Sequence, residues 1–218
     1  MTEKEKAANG LLYDSTLKSF EKKRRRAKRL CHRYNRCKPS KVKKRNNILK
    51  KLFGKTGKKI LIEPPFYCDY GDNIEVGDYF FANMNCVMLD GAEIKIGNHV
   101  MLGPNVSLYG TGHPKNADIR NKYIEYSYPI TIQNNVWIGG SVSILPGVTI
   151  GENSIIGAGS VVTKNIPRDT IAYGNPCRIV KTIDQDEEKQ KEKYFRKIKR
   201  KEFKEMKRVF EEISEMKE

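Results

Sequence analysis

The sequence predicts a mainly β fold: a parallel β-helix wound from hexapeptide coils, with a helical segment before it and one helix after it. Three observations carry this. From about residue 74 an aliphatic residue returns every six positions, commonly followed by glycine and, four residues after the aliphatic one, by a small or β-branched residue. Residues 1–60 lack that beat; they place apolar side chains such as Leu11, Leu12, Leu17 and Phe20, then Ile48, Leu49, Leu52 and Phe53, at helical intervals. Residues 184–218 return to helical spacing, with Phe195, Ile198, Met206, Val209, Ile213 and Met216 forming one stripe among Glu and Lys, interrupted at Glu202.

The N-terminal segment, residues 1–60, reads as two or three helices and carries most of the charge. Of the net charge of +16, it holds 22 Lys/Arg against 4 Asp/Glu, residues 61–180 hold 7 against 11, and residues 181–218 hold 13 against 11. Such a basic block offers a footprint to nucleic acid, an anionic membrane or a phosphorylated cofactor. Its commoner use is a solvated helical surface, so nucleic acid is not the favoured partner. Glu63-Pro64-Pro65 then breaks the helical pattern, because proline donates no backbone hydrogen bond and biases its predecessor toward extended geometry. This puts a boundary near residue 60.

The chain has 218 residues, 38% of them apolar, enough for one main domain with appended elements. No apolar run approaches the length of a membrane span and no charged-then-apolar leader opens the chain, so a cytoplasmic protein without membrane contact is expected. Five cysteines, odd in number and without CxxC spacing, argue against a disulfide framework or a zinc site, and no metal is expected.

The coil occupies residues 61–183. Its clearest tract runs IGGSVS from Ile138, ILPGVT from Ile144, IGENSI from Ile150, IGAGSV from Ile156 and VTKNIP from Val162. The same beat appears upstream from Val76, Ala82, Ile96 and Leu102. A six-residue period suits a triangular coil in which each hexapeptide makes a short strand and a turn, the aliphatic residue pointing inward. Ten or so hexapeptides predict roughly three turns. Glycine, and asparagine at Asn98, Asn105, Asn135 and Asn153, suit corners with positive φ. The period-two alternation of a β-sandwich is absent. The beat breaks once: Leu108 and Ile132 are 24 positions apart where six would continue the coil, so an excursion loop at 109–129 leaves it. The final helix, 184–218, is suited to joining subunits as a short coiled coil or to lying on the end of the coil.

Of the three histidines, His113 alone lies in the excursion loop. A neutral imidazole there can accept the proton of an attacking hydroxyl, and it can equally be held for shape by a hydrogen bond. His32 in the basic segment and His99 in a hexapeptide turn suit solvent-facing or capping roles.

The ordered motifs LLYD, EPPFYCDYGDNIEVGDYFFANMN, IGNHVMLGPNV, TGHP, EYSYPITIQNNVWIGG, ILPGVTIGENSIIGAGSVVTKNIP and YGNPCRIVK resemble the maltose and galactoside O-acetyltransferases of the hexapeptide-repeat superfamily over residues 10–183. The resemblance implies a left-handed coil, assembly as a homotrimer with sites between subunits, and transfer of acetyl from acetyl-CoA to a sugar hydroxyl. It implies His113 as general base and Asp14, Asp69, Asn83 and Glu125 as acceptor-binding residues, with the N-terminal segment closing over the acceptor site. It also implies Trp137, Gly140, Ala158, Thr163, Lys164, Arg178 and Lys181 along the acetyl-CoA groove. Competing uses are a helix cap for Asp14, a turn residue for Asn83 and plain solvent exposure for the three cations. Glu125 matches the maltose type, whereas Asp69 and Gly91 depart from the galactoside type, so a maltose- or glucose-like acceptor is expected. A thioester is already activated, so direct transfer is expected over an acyl-enzyme on Cys86 or Cys177. The rival readings are a hexapeptide acetyltransferase for an antibiotic, an amine or a serine hydroxyl, and a non-catalytic scaffold that holds nucleic acid.

Overall fold

The computed structural model describes residues 1–215, and of Glu188, Phe203 and residues 206–215 the backbone alone. It divides into two compact units, Met1–Thr182 and the chain from Ile183 onward. The first unit is the parallel β-helix with its helical N-terminal segment, and the second is a helix, so the expected fold class holds.

The coil has three flat faces. The first stacks Lys55–Thr56, Ile74–Val76, Ile94–Ile96, Ile130–Ile132 and Thr149–Ile150. The second stacks Leu61–Ile62, Phe81–Ala82, Met101–Leu102, Trp137–Ile138, Ile155–Ile156 and Thr170–Gly174, closed by Cys177–Thr182. The third stacks Phe66–Cys68, Cys86–Leu89, Ser107–Tyr109, Ser143–Ile144 and Val161–Val162. Five full turns and part of a sixth result, where the hexapeptide count led to roughly three.

The register explains the shortfall. On the second face Leu61 pairs with Phe81, Phe81 with Met101, Met101 with Trp137, Trp137 with Ile155, and Ile155 with Ile171. The offsets are 20, 20, 36, 18 and 16 residues. Only the turn from Trp137 to Ile155 keeps three strict hexapeptides; the early ones carry two extra residues in their corners, which hides them from a six-residue template, and the last is two residues short. The offset of 36 is one turn of 18 plus the 18 residues of the excursion. The coil also begins at Lys55, inside the stretch that reads as helical, because Lys55–Thr56 pairs in parallel with Glu75–Val76.

Inward residues stack rung on rung: Ile62, Ala82, Leu102, Ile138, Ile156 and Ala172 from the second face, Val76, Ile96, Ile132 and Ile150 from the first, all buried. At the corner between the first and second faces, His99, Asn135 and Asn153 take positive φ; His99 stacks on Tyr79 with centroids 4.7 Å apart, and Asn135 donates to Asn153 at 3.0 Å. His99 is thus a corner residue.

Helices α1 (Glu3–Ala8), α2 (Lys18–Asn35) and α3 (Val42–Leu52) precede the coil. α2 buries Phe20, Ala27, Leu30, Cys31 and Tyr34 on one side and leaves its Lys/Arg side outward, as an amphipathic helix on a core must. α3 is pinned by Arg45, 6% exposed, which donates to the Ile62 carbonyl at 2.7 Å and pairs with Glu63 at 3.4 Å. Within the excursion, α4 (Ala117–Arg120) is one turn capped by Asn116. In the second unit, α5 (Gln185–Glu215) starts at Asp184, whose carboxylate accepts from the Asp186 and Glu187 amides. The apolar stripe from Met206 onward lies outside the described side chains.

Candidate active site

The excursion loop does not wander. Its outgoing strand Thr111–Gly112 and returning strand Ile124–Ser127 pair antiparallel, Thr111 with Ser127 and Gly112 with Tyr126. The N-terminal strand Tyr13–Asp14 adds to the other edge, Tyr13 opposite Glu125 and Asp14 opposite Ile124. This three-stranded sheet ties the start of the chain to the loop, with Ser15 Oγ donating to the Tyr123 carbonyl at 3.0 Å.

His113 follows the outgoing strand and is exposed. Its Nδ1 lies 3.0 Å from the Ile124 carbonyl oxygen. A carbonyl only accepts, so in the neutral ring Nδ1 carries the hydrogen and Nε2 carries the lone pair. Asp14, opposite Ile124, is half-buried; its Oδ1 accepts from the Thr16 amide at 2.8 Å and hydroxyl at 2.6 Å, which lowers its pKa. Asp14 is not a helix cap: α2 begins after Leu17 with no side-chain cap, and the Asp14 bonds to Thr16 close a local turn ahead of it.

Glu125 is half-buried beside this pair, and the Tyr13 hydroxyl donates to its Oε2 at 2.7 Å. Asp69 reaches the same place from the coil corner that follows Phe66–Cys68. Burial raises its carboxyl, and the Glu125 charge adds to the rise while Arg24 and Lys28 oppose it. Behind Asp69, the fully buried Asp90 accepts from the amides of Tyr70 at 2.9 Å and Asp69 at 3.1 Å, and burial pushes its carboxyl up to about 7. Arg24 of α2 donates to Tyr70 Oη at 2.9 Å and to the Ser15 carbonyl at 2.8 Å, bracing the wall.

His113, Asp14, Asp69 and Glu125 thus gather where the third face turns into the first. Asn83 does not join them. It follows Phe81–Ala82, where the second face turns into the third, and its Oδ1 accepts from the Met84 amide at 2.8 Å. There Asn83, Trp137, Gly140 and Ala158 line one cavity of about 430 Å³ with Phe81, Met101, Gly103 and Pro104. Its floor is exposed backbone: among the described residues the Gly140 and Ala158 amides have no protein acceptor, while the Gly140 carbonyl accepts from Gly159 at 2.9 Å. Thr163, Lys164, Arg178 and Lys181 lie outside this cavity. The first two follow Val161–Val162 at the end of the third face, and the last two stand exposed on Cys177–Thr182.

The cysteine alternative meets an obstacle at Cys86, which is buried, donates to the Asn83 carbonyl at 3.1 Å, and is pushed up to about 11 by burial. Its thiol stays protonated at neutral pH, and a thiol is a poor nucleophile. Among the described residues no cluster of His, Cys, Asp and Glu suits a metal, and no helix is long and apolar enough to cross a membrane.

Residue-by-residue reading missed Tyr13, Arg24, Tyr70, Asp90, Thr111 and Ser127. Tyr13 sits next to Asp14 in the LLYD motif, a signal that was available; the others meet only through the fold.

Two family models match: the maltose acetyltransferase hexapeptide capping motif over residues 6–57 and the bacterial transferase hexapeptide over residues 129–164. The chain is 44% identical to the galactoside O-acetyltransferase of Escherichia coli over 196 residues, 90% of this chain and 94% of that protein. Among solved structures it resembles a maltose O-acetyltransferase from Clostridium difficile at 50% identity and TM-score 0.83, covering 85% of this chain and 99% of that one. A galactoside acetyltransferase in complex with coenzyme A also has TM-score 0.83, at 42% identity over 86% of this chain and 94% of that one. With one family model on the N-terminal segment, another on the later coil, and near-complete relatives well above 30% identity, the chain belongs to the maltose and galactoside O-acetyltransferase family of hexapeptide-repeat proteins and is an acetyltransferase.

Proposed function

We propose that the protein moves the acetyl group of acetyl-CoA directly onto a hydroxyl of a maltose- or glucose-like sugar, with His113 as general base. The observation that carries this reading is the contact of His113 Nδ1 with the Ile124 carbonyl, which leaves Nε2 as the proton acceptor in an exposed loop. The sugar O–H proton passes to Nε2 as its oxygen attacks the thioester carbon. The tetrahedral oxyanion takes a hydrogen bond from a free amide, for which Gly140 N–H is the candidate. The C–S bond then breaks, and the imidazolium returns its proton to the CoA thiolate. Asp14, Asp69 and Glu125 accept hydrogen bonds from other acceptor hydroxyls, and the N-terminal segment closes over that site by its strand at Tyr13–Asp14. The bare floor beneath Trp137, Gly140 and Ala158 suits the pantetheine amides. Lys164, Arg178 and Lys181, with the Thr163 hydroxyl, suit the phosphates.

The split between two corners supports a homotrimer with sites between subunits, because the base of one chain then meets the thioester groove of the next. The faces support it too. Outward on the first stand Lys55, Glu75, Lys95, Thr131 and Thr149, a polar ladder; outward on the second stand Leu61, Phe81, Met101, Trp137 and Ile155. The third adds Tyr67, Val87 and Val161 among serines. A closed three-fold ring uses two different surfaces per subunit and leaves one to water. Five free cysteines suit a reducing cytoplasm.

The test is release of CoA thiol from acetyl-CoA by wild type and His113→Ala with maltose, glucose, galactosides and amines. Sugar-dependent release that falls by about 10²–10⁴ in the variant is expected. Release with amines alone moves the reading to an amine acceptor, and an undiminished variant overturns the base.

A further inference from the structure

We infer that Tyr13 is a positioning residue for acceptor selection: its hydroxyl aims the Glu125 carboxylate, and the missing side chain at Gly91 makes that arrangement possible. The inference deepens the sugar-transfer reading above and rests on it for its kinetic consequences. Tyr13 stands on the N-terminal strand opposite Glu125, is 1% exposed, and packs its ring on Phe20 with centroids 5.5 Å apart. The phenol's only hydrogen goes to Glu125 Oε2 at 2.7 Å, since a carboxylate has none to give. Ser127 Oγ, 3.0 Å from the Tyr13 oxygen, must then be its donor, and Thr111 Oγ1, 3.2 Å from Ser127, must donate in turn. Three hydroxyls from three neighbouring strands therefore point one way, toward a single carboxylate oxygen, and each polarises the next. Burial raises the phenol well above its ordinary range, so it remains a donor at every working pH.

Gly91 explains how this fits. A Cβ at that position would lie 2.2 Å from Ser127 Oγ, 2.3 Å from Thr111 Oγ1 and 3.0 Å from Tyr13 Oη. Its φ is not positive, so the requirement is for space. Any side chain at 91 pushes the hydroxyls apart and releases Glu125.

The chemical consequence is selectivity. With Oε2 held by Tyr13, Glu125 offers the acceptor its other oxygen in one orientation, so it rewards a hydroxyl at one place on the sugar. A carboxylate free to turn meets several epimers almost equally.

Tyr13→Phe keeps the ring and removes the donor. Steady-state kinetics over a set of epimeric sugars should give an acceptor KM raised about tenfold, with kcat within about threefold and the KM for acetyl-CoA unchanged. The spread of kcat/KM across the epimers should narrow, and Gly91→Ala should shift the same parameter. An unchanged acceptor KM and spread overturn the inference, as does an equal loss in all constants, the mark of general damage. A crystal structure of Tyr13→Phe gives a readout free of activity: the Glu125 carboxylate should leave its wild-type position, and an unmoved carboxylate overturns the positioning role. Wild type that acetylates no sugar defeats the proposed function alone, and the crystal comparison still decides the role of Tyr13.

Discussion

Asn35 and Phe66 are joined twice: the Asn35 side chain accepts from the Phe66 amide at 2.9 Å and donates to the Phe66 carbonyl at 3.1 Å. Phe66 opens the lowest strand of the third face, an edge with no strand beneath it. An amide side chain at the end of α2 therefore does for one residue what a neighbouring strand would do, and it blocks that edge against pairing with another chain.

Removing the Asn35 amide leaves two backbone groups short of partners. Asn35→Ala should cost about 1–3 kcal/mol in urea unfolding with little change in the dependence on denaturant. A loss below about 0.5 kcal/mol would mean that water replaces the amide without penalty.

Asp90 makes stability depend on pH. Its carboxyl titrates near 7 in the folded chain, raised by burial from the ordinary value of 3.8. Between these values the unfolded chain is ionised there and the folded chain is not, so this group's contribution is full below about pH 4 and is lost as pH rises through about 7. Wild type should therefore lose a few kcal/mol from pH 4 to pH 7 relative to Asp90→Asn, whose side chain does not titrate. Parallel stability curves for the two proteins would show that the backbone donors hold Asp90 ionised.

Gly103 lines the cavity proposed to hold the thioester. A Cβ there would lie 2.6 Å from the Gly140 nitrogen. Gly103→Ala should destabilise by about 1–3 kcal/mol and raise the KM for acetyl-CoA more than that for the sugar. Equal effects on both substrates would place the Gly140 amide outside the groove.

Light scattering should return three times the chain mass of 25.1 kDa, with specific activity falling on dilution as the ring dissociates. Met101→Glu, on the exposed apolar second face, should shift the mass toward monomer. A monomer that is fully active would refute sites shared between subunits.

The late coil was legible because a strict period of six leaves its mark in every turn: Ile138, Ile144, Ile150 and Ile156 each have to point inward. The early coil was less so, since two extra residues per turn, as between Leu61 and Phe81, keep the stack intact and spoil the count. Arg45 and Lys55 illustrate the same limit. One is a buried cation in a segment that looks like a solvated basic surface, and the other begins the coil among lysines.

The sequence by itself determined the repeat, the break in it and the order of motifs, because inward-pointing aliphatic residues and corner glycines are local needs met at fixed spacing. The candidate base and the candidate acceptor residues were named through the family resemblance of those motifs. Only the tertiary structure decided the tautomer of His113, the hydroxyl chain ending on Glu125, and the separation of Asn83 from the other candidate acceptor residues. Each depends on which strand lies beside which, as Tyr13 beside Glu125 across 112 positions of chain, and hydrogen bonds over such distances leave no period in the sequence.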